Sequence, residues 1–469
     1  MLLKLSKFCL YTTLFSVVLV VVGTFFPYIG VKYFFFRATV SLSLIFFVLW
    51  WAFEAAPGEV RGSFKKISRH PLFIAVSAFA LFYLLASLFA YDSHAAFWSN
   101  FERGEGGFQM IHYYLFFLLL SFTFKEKKEW QRLFRFSLLA AGFMILYGVL
   151  GQLGTSGFID ANGPNPPTDV FSKIFIPRFQ GSLGNPAYVA PYLMFIIFFC
   201  AYLWITSENK NHRLKLFLYG VPVAFFLFFF YLSKTRGALI GLVIATLVFF
   251  LYLLLSSKGK VRKWSFLGIS FFALFAGLIM FVSFYLSPHC AKSKCSNFAK
   301  NLSSNRLLDL SPGEQSFKTR TWTWNSAWQG FKERPVFGWG PENFSAVFDR
   351  YFDPRHYIPG ANSETWFDRA HSVFFDYLAE TGFLGLVSYI SIFVVFFWQL
   401  FKNKKAALAH QFREKEKENL YHNPLLFGLL LALPIGYLIQ GLDLFDVLPI
   451  YLNLFLFLAF SLYQFDQKT

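Results

Sequence analysis

Residues 214–255 read LKLFLYGVPVAFFLFFFYLSKTRGALIGLVIATLVFFLYLLL. Two apolar runs, Leu214–Leu232 and Gly237–Leu255, flank the short polar turn Ser233-Lys234-Thr235-Arg236. Each run is close to the ~20 residues that an α-helix needs to cross the hydrocarbon core of a bilayer. In lipid, every backbone N–H and C=O must be paired inside its own segment, so runs of this kind are helices. A turn this short makes the two helices antiparallel neighbours.

Working outward from this hairpin, the same length rule finds ten more windows. They are Phe8–Phe26, Phe34–Phe53, Pro71–Ala90, Phe108–Phe124, Leu133–Leu153, Ala187–Thr206, Trp264–Leu286, Gly382–Phe401, Pro424–Leu442 and Val447–Tyr463. The reading predicts an all-α, polytopic integral membrane protein of about twelve transmembrane helices. Helices 1–9 occupy residues 1–286 and include a Pro- and Gly-rich loop at 154–186. A large, partly helical outside loop covers 287–381, and helices 10–12 occupy 382–469. No signal-peptide cleavage pattern follows the first apolar run, which is read as a retained helix.

Composition agrees. The 469 residues are 56% hydrophobic, 22% aromatic and 15% charged, with mean hydropathy +0.47. Soluble domains are typically ~45–50% apolar and ~25% charged. A soluble enzyme, a disordered chain and a secreted disulfide scaffold are excluded. The net charge of +17 would suggest nucleic acid in a soluble protein. In a membrane protein, basic short loops instead fix the orientation. With the N-terminus inside, the inside segments carry 24 Lys and Arg against 6 in the five short outside loops. The expectation is therefore a multi-pass membrane protein with both termini cytoplasmic, in contact with membrane lipids and no nucleic acid.

Four stretches carry candidate chemistry, all on the outer face. Arg236 opens a helix at the membrane boundary, where an ionisable residue is costly and usually has a partner or a function; the plainer reading is a snorkelling side chain. The run Arg178-Phe179-Gln180-Gly181-Ser182-Leu183-Gly184-Asn185-Pro186 leads into a span. Asn185 suits an N-cap and Pro186 a first helical position, so the free N–H groups of that helix start face outward, where a phosphate can bind. A cap in a tight turn is the alternative. Arg320, Trp324, Trp328 and Phe331 fall on one helical face, which an interfacial amphipathic helix also explains. His371 precedes a helix holding Asp376 and Glu380; these and Asp368 are candidates to orient it or to compete with it as proton acceptor. A lone His is more often simply a satisfied polar residue, but a neutral imidazole accepts a hydroxyl proton near pH 7. Cys290 and Cys295 are a candidate structural disulfide on the oxidising side, with a metal site involving His289 as the weaker alternative. There is no phosphate-binding loop of the Walker type, no dinucleotide fingerprint, no HExxH and no internal repeat.

These stretches resemble, in order, the motifs of the O-antigen ligase and O-antigen polymerase superfamily of bacterial membrane glycosyltransferases. The matching residues are Phe179–Pro186, Ser233-Lys234-Thr235-Arg236-Gly237-Ala238, Arg320 with Pro335-x-x-Gly338-x-Gly340, and Ala370-His371 with Glu380-x-Gly382-x-x-Gly385. The resemblance implies transfer of a glycan from undecaprenyl diphosphate to an acceptor on the periplasmic face. It implies an inverting, metal-independent reaction with no cofactor. Arg236 and Arg320 would be the essential arginines and His371 the general base, with Arg178 and Asn185 joining the diphosphate site. The acceptor is lipid A–core in ligases, a lipid-linked glycan in polymerases, or protein in O-oligosaccharyltransferases; the ligase is favoured. Family members often carry Asn after the His, where this chain has Ser372, which puts the orientation of His371 in question. The alternative of another class is an anion or solute transporter. Against it, transporters bind near the bilayer midplane and many show inverted repeats.

Overall fold

The computed structural model describes residues 1–159, 169–175, 177–286, 290, 296, 315–357, 365–409 and 420–466. Among the described residues all regular structure is helical. Nine helices among the described residues are long and apolar enough to cross a membrane, and Gly107–Thr123 and Pro424–Gln440 are shorter apolar helices. With the N-terminal helix these account for the twelve windows. The protein is an all-α, multi-pass membrane protein.

The helices are α1 (Leu2–Thr13), α2 (Gly30–Phe53), α3 (Pro71–Leu88), α4 (Gly107–Thr123), α5 (Lys127–Gln152), α6 (Pro186–Thr206), α7 (His212–Leu232), α8 (Arg236–Ser256), α9 (Gly259–Phe281), α10 (Gln315–Glu333), α11 (Phe344–Arg350), α12 (Val373–Ala409), α13 (Pro424–Gln440) and α14 (Leu448–Asp466). The most enclosed are α14 and α6, while α7, α8 and α9 are largely uncovered. Large apolar side chains such as Leu255, Phe271 and Leu274 stand exposed on the outside. In water such a surface would be a liability; against lipid tails it is the expected one.

The first window is corrected. Helix α1 begins at Leu2, passes into a 3-10 turn at Leu14–Val18 and ends there, so residues up to Phe26 are not helical. The physical reason is Lys32, buried in α2, whose Nζ donates to the carbonyl of Val17 at 3.0 Å and to that of Leu19. A lysine capping these carbonyls satisfies the helix end that apolarity alone would have carried onward.

The two ends of the bundle differ. At one end Lys7 pairs with Glu129, Lys66 with Asp466 at 2.6 Å, and Gln131 bonds Thr206 at 3.1 Å. These residues belong to, or border, the Lys- and Arg-rich connections. The alternate connections gather at the other end, where a second apolar cluster forms from Trp339, Phe344, Val347, Phe348 and Phe367.

Helix α10 packs on that cluster through a face of small residues, with Trp324 at its edge. Its buried residues are Thr319, Thr323, Ser326, Ala327 and Gly330, small side chains that let α11 approach; a Cβ on Gly330 would overlap Val347. Trp328 is 47% exposed, whereas Trp324 stacks on Phe375 with centroids 5.2 Å apart. Cys9 and Cys200 are buried and free. Cys290 is disulfide-bonded, and both Cys295 and His289 lie outside the described residues.

Candidate active site

The site starts from a stripe of small residues. Gly237, Gly241 and Ala245 follow one another at four-residue spacing along α8 and are buried. Such stripes let membrane helices pack closely. A Cβ on Gly241 would lie 2.6 Å from the carbonyl oxygen of Gly436 in α13, so only glycine permits the approach. It brings the first turn of α8 against the loop that follows α13.

A second tie fixes the start of α6 beside it. Asn185 caps that helix by accepting the Ala187 N–H at 2.8 Å, as its sequence suggests. Thr235 Oγ1 donates to the Pro186 carbonyl at 3.0 Å, and the Phe179 N–H donates to the Leu232 carbonyl at 2.9 Å. Two helix N-termini, those of α6 and α8, thus sit side by side. At α6 the expected free N–H groups are already taken, since Pro186 has none, Ala187 bonds the Asn185 side chain and Tyr188 the Asn185 carbonyl. That start offers the positive end of its dipole rather than spare donors, as α8 offers its own dipole end.

Both face a cavity of about 520 Å³, within the range of small-molecule sites. Arg178, Asn185, Arg236, Arg320 and His371 all line it. Four distant stretches of sequence are brought to one place. Arg178 Nε donates to the Ser233 carbonyl at 3.1 Å and its Nη2 to Thr235 Oγ1 at 3.2 Å. Arg320 pairs with Asp443. Lys234, also on the wall, donates to the Phe175 carbonyl at 3.1 Å; burial and the nearby Arg178 lower its pKa. The charged lining therefore comprises Arg103, Arg178, Lys234, Arg236 and Arg320 against Asp368 and Asp443. That excess of cation suits a polyanionic ligand, and arginine adds planar, bidentate geometry for phosphate oxygens.

His371 adopts a positive φ of 56°, a conformation sparsely used by residues other than glycine and often associated with functional sites. Its Nδ1 bonds the Arg369 carbonyl at 3.2 Å. That partner accepts only, so the bond assigns the proton to Nδ1 and leaves Nε2 with a lone pair. Phe367 and Phe445 hold the ring edge-on at 5.3 and 5.2 Å. Burial, and then the charge of Arg320, push its pKa down to about 4. The imidazole is neutral at physiological pH and able to accept a proton. Ser372 serves a different purpose from orienting the ring: its Oγ donates to the Gly441 carbonyl at 3.4 Å.

The carboxylates near His371 in sequence are engaged elsewhere. Asp368 forms a bidentate pair with Arg103, at 2.6 and 2.9 Å; burial would raise its pKa, but the hydrogen bond and charge of Arg103 hold it below the usual carboxylate value. Asp376 accepts the Ala370 N–H at 2.6 Å. Glu380 pairs with the buried Arg369 at 2.9 Å, and Arg369 also binds Glu342 at 2.7 Å. None of these bonds reaches the imidazole, so the histidine is oriented by backbone and rings rather than by a carboxylate.

Glycines in the same segment have a structural reason. The Trp339 and Gly340 N–H groups donate to the carbonyls of Ala379 and Glu380 at 2.9 and 2.8 Å, and the Phe383 N–H donates to that of Pro335. Gly382, at φ 66°, breaks α12 into two helical pieces to allow this docking. A Cβ on Gly338 would lie 2.5 Å from the backbone of Glu380. The Pro335–Gly340 and Glu380–Gly385 motifs are therefore two halves of one lock behind the site.

Among the wall residues that escaped the sequence reading are Arg103, Tyr188 and Asp443. Arg103 donates to the Tyr188 hydroxyl at 2.7 Å and lies over the Phe445 ring at 5.3 Å. The signal for Asp443 was present, since the loop 443–446, expected outside from the charge count, holds two Asp and no Lys or Arg.

Residues 221–390 match the protein family described as O-Antigen ligase. No curated protein matches the chain. The matched stretch supplies Arg236, Arg320 and His371, while Arg103, Arg178, Asn185 and Asp443 lie outside it. A family of this type acts as glycosyltransferase on glycan and lipid substrates, and a cation-lined cavity at one end of a helical membrane bundle suits such work. The match over residues 221–390 supports the likeness of this chain to the O-antigen ligase/polymerase superfamily.

Proposed function

We propose that the protein is an inverting, metal-independent glycosyltransferase of the inner membrane, working on its periplasmic face. It moves a glycan from undecaprenyl diphosphate to an acceptor hydroxyl, with lipid A–core as the acceptor and hence O-antigen ligase as the activity. The observation that carries this reading is the meeting of Arg178, Arg236, Arg320 and His371 on one cavity beside two helix N-termini.

In the reaction, the bond between the anomeric carbon and the diphosphate oxygen breaks while the acceptor oxygen bonds that carbon from the opposite side. The acceptor proton passes to His371 Nε2. The diphosphate leaves with the bonding electron pair and is stabilised by Arg236, Arg320, Arg178 and the positive dipole end of the helix that Asn185 caps. A neutral imidazole suits the first task. Fixed guanidinium groups suit the second, because they need no reorganisation as charge develops.

The test uses purified protein in liposomes with labelled glycan on undecaprenyl diphosphate and a panel of acceptors, alongside Arg236→Ala, Arg320→Ala and His371→Ala. Label should leave the lipid only with wild type, and the labelled product names the branch: lipid A–core for a ligase, longer lipid-linked glycan for a polymerase, glycoprotein for an O-oligosaccharyltransferase. If no acceptor takes label, transfer is the wrong chemistry and radiolabelled anion uptake into vesicles becomes the next measurement.

A further inference from the structure

We propose that Asp443 is an internal counter-ion that holds the diphosphate site until a diphosphate displaces it. The inference rests on the reading that the cavity takes a diphosphate. Asp443 stands in the loop between α13 and α14, and its carboxylate pairs with Arg320. A Cβ on Gly237 would lie 2.6 Å from Asp443 Oδ2, so the same carboxylate also lies over the first turn of α8. It therefore occupies, with an oxygen pair of its own, the place between a guanidinium and a helix N-terminus where an anionic ligand would bind.

Arg320 and Asp443 are partly exposed, at 21% and 28%, and both line the cavity. A ligand can therefore reach the pair, unlike the buried Arg369–Glu380 pair behind it. The loop backbone need not move for the exchange. Tyr437 anchors Asp446, and the Val373 N–H bonds the carbonyls of Gly441 and Leu444 at 2.8 and 3.0 Å, so a side-chain rotation of Asp443 suffices. A diphosphate brings more charge and more acceptor oxygens than one carboxylate and reaches Arg236 on the same wall, so it wins the exchange. After transfer, the departing diphosphate carries one more negative charge than the donor did and would be held more tightly. Asp443 reclaiming Arg320 opposes that and favours release.

The experiment measures binding of inorganic pyrophosphate and of farnesyl diphosphate to detergent-purified wild type, Asp443→Asn, Arg320→Ala and the double variant. Elution as a single species checks folding, and Asp443→Ser replaces the Asn variant should that one aggregate. Removing the internal competitor should tighten binding of either probe by roughly tenfold to hundredfold, the scale of one charge-assisted hydrogen bond. The gain should vanish in the double variant. In turnover, the donor KM and kcat should fall together, as when product release becomes slower. Unchanged or weaker binding in Asp443→Asn, with wild-type binding abolished by Arg320→Ala, overturns the counter-ion role and leaves the diphosphate reading standing. Absence of binding to every variant overturns both.

Discussion

His371 shows how one side chain's surroundings set a rate profile. Its pKa is depressed to about 4 by burial and by Arg320, so the neutral base form is fully present above that value and is lost only as pH falls through it. The free enzyme should therefore show no acid limb in kcat/KM between pH 5 and 8. When a diphosphate occupies the cavity, its negative charge offsets Arg320 and raises the pKa of the imidazole. The acid limb of kcat should accordingly lie at higher pH than that of kcat/KM, a difference read directly from pH–rate profiles. His371→Ala should cost about 10²–10⁴-fold in kcat, and turnover that stays at wild-type level across pH 6–8 would remove the base assignment. For Arg236→Ala and Arg320→Ala the loss should be about 10²–10³-fold each, without loss of membrane-folded protein. Full activity in both would overturn their role in stabilising the leaving group.

At the scale of elements, the cavity depends on two close approaches, and each permits a prediction. Gly241 meets the Gly436 carbonyl, so Gly241→Leu should push α8 from α13, displacing Arg236 from Arg320. Activity should be lost while α6 and the Asn185 cap remain in place, which protease mapping would separate from general unfolding. Gly382 holds φ 66° at the break in α12, with the Val336 carbonyl 2.5 Å from a would-be Cβ. Gly382→Ala should destabilise by about 1–3 kcal/mol from backbone strain alone, and more from the clash, seen as a lower melting temperature. These elements also show what the sequence made legible. Helix existence follows from apolar run length, and Asn185-Pro186 announces a helix start because cap and first-turn chemistry are local. The end of α1 was not legible, because it is set by Lys32 from another helix. The buried side of α10 was not legible for a similar cause: Thr319, Thr323, Ala327 and Gly330 go inward because α11 must come close, which no local spacing announces. Arg178, Arg236, Arg320 and His371 could be singled out by residue type and motif, but the pairing of Arg320 with Asp443 and of Arg103 with Asp368 depends on tertiary contact that no local spacing encodes.

For the molecule as a whole, function depends on which side of the membrane the cavity faces. The basic connections and the cavity lie at opposite ends of the bundle. Lys and Arg are retained on the cytoplasmic side in short loops, and on that ground we propose that the cavity faces the periplasm. The cations that do stand at the cavity end, Arg103, Arg178, Lys234, Arg236 and Arg320, are there against that bias, as expected of residues kept for binding. The test needs one exposed position at each end. His94 lies in the connection between α3 and α4, at the cavity end, and Glu208 in that between α6 and α7, at the basic end; both are exposed. The native Cys9 and Cys200 are buried and Cys290 is disulfide-bonded, so the background should be low. In intact spheroplasts a membrane-impermeant maleimide should label His94→Cys at once and Glu208→Cys only after permeabilisation. The reverse pattern would place the arginine-lined cavity on the cytoplasmic side. The donor would then have to be used before it crosses the membrane, and a ligase joining finished glycan to lipid A–core at the periplasmic face would no longer fit this protein.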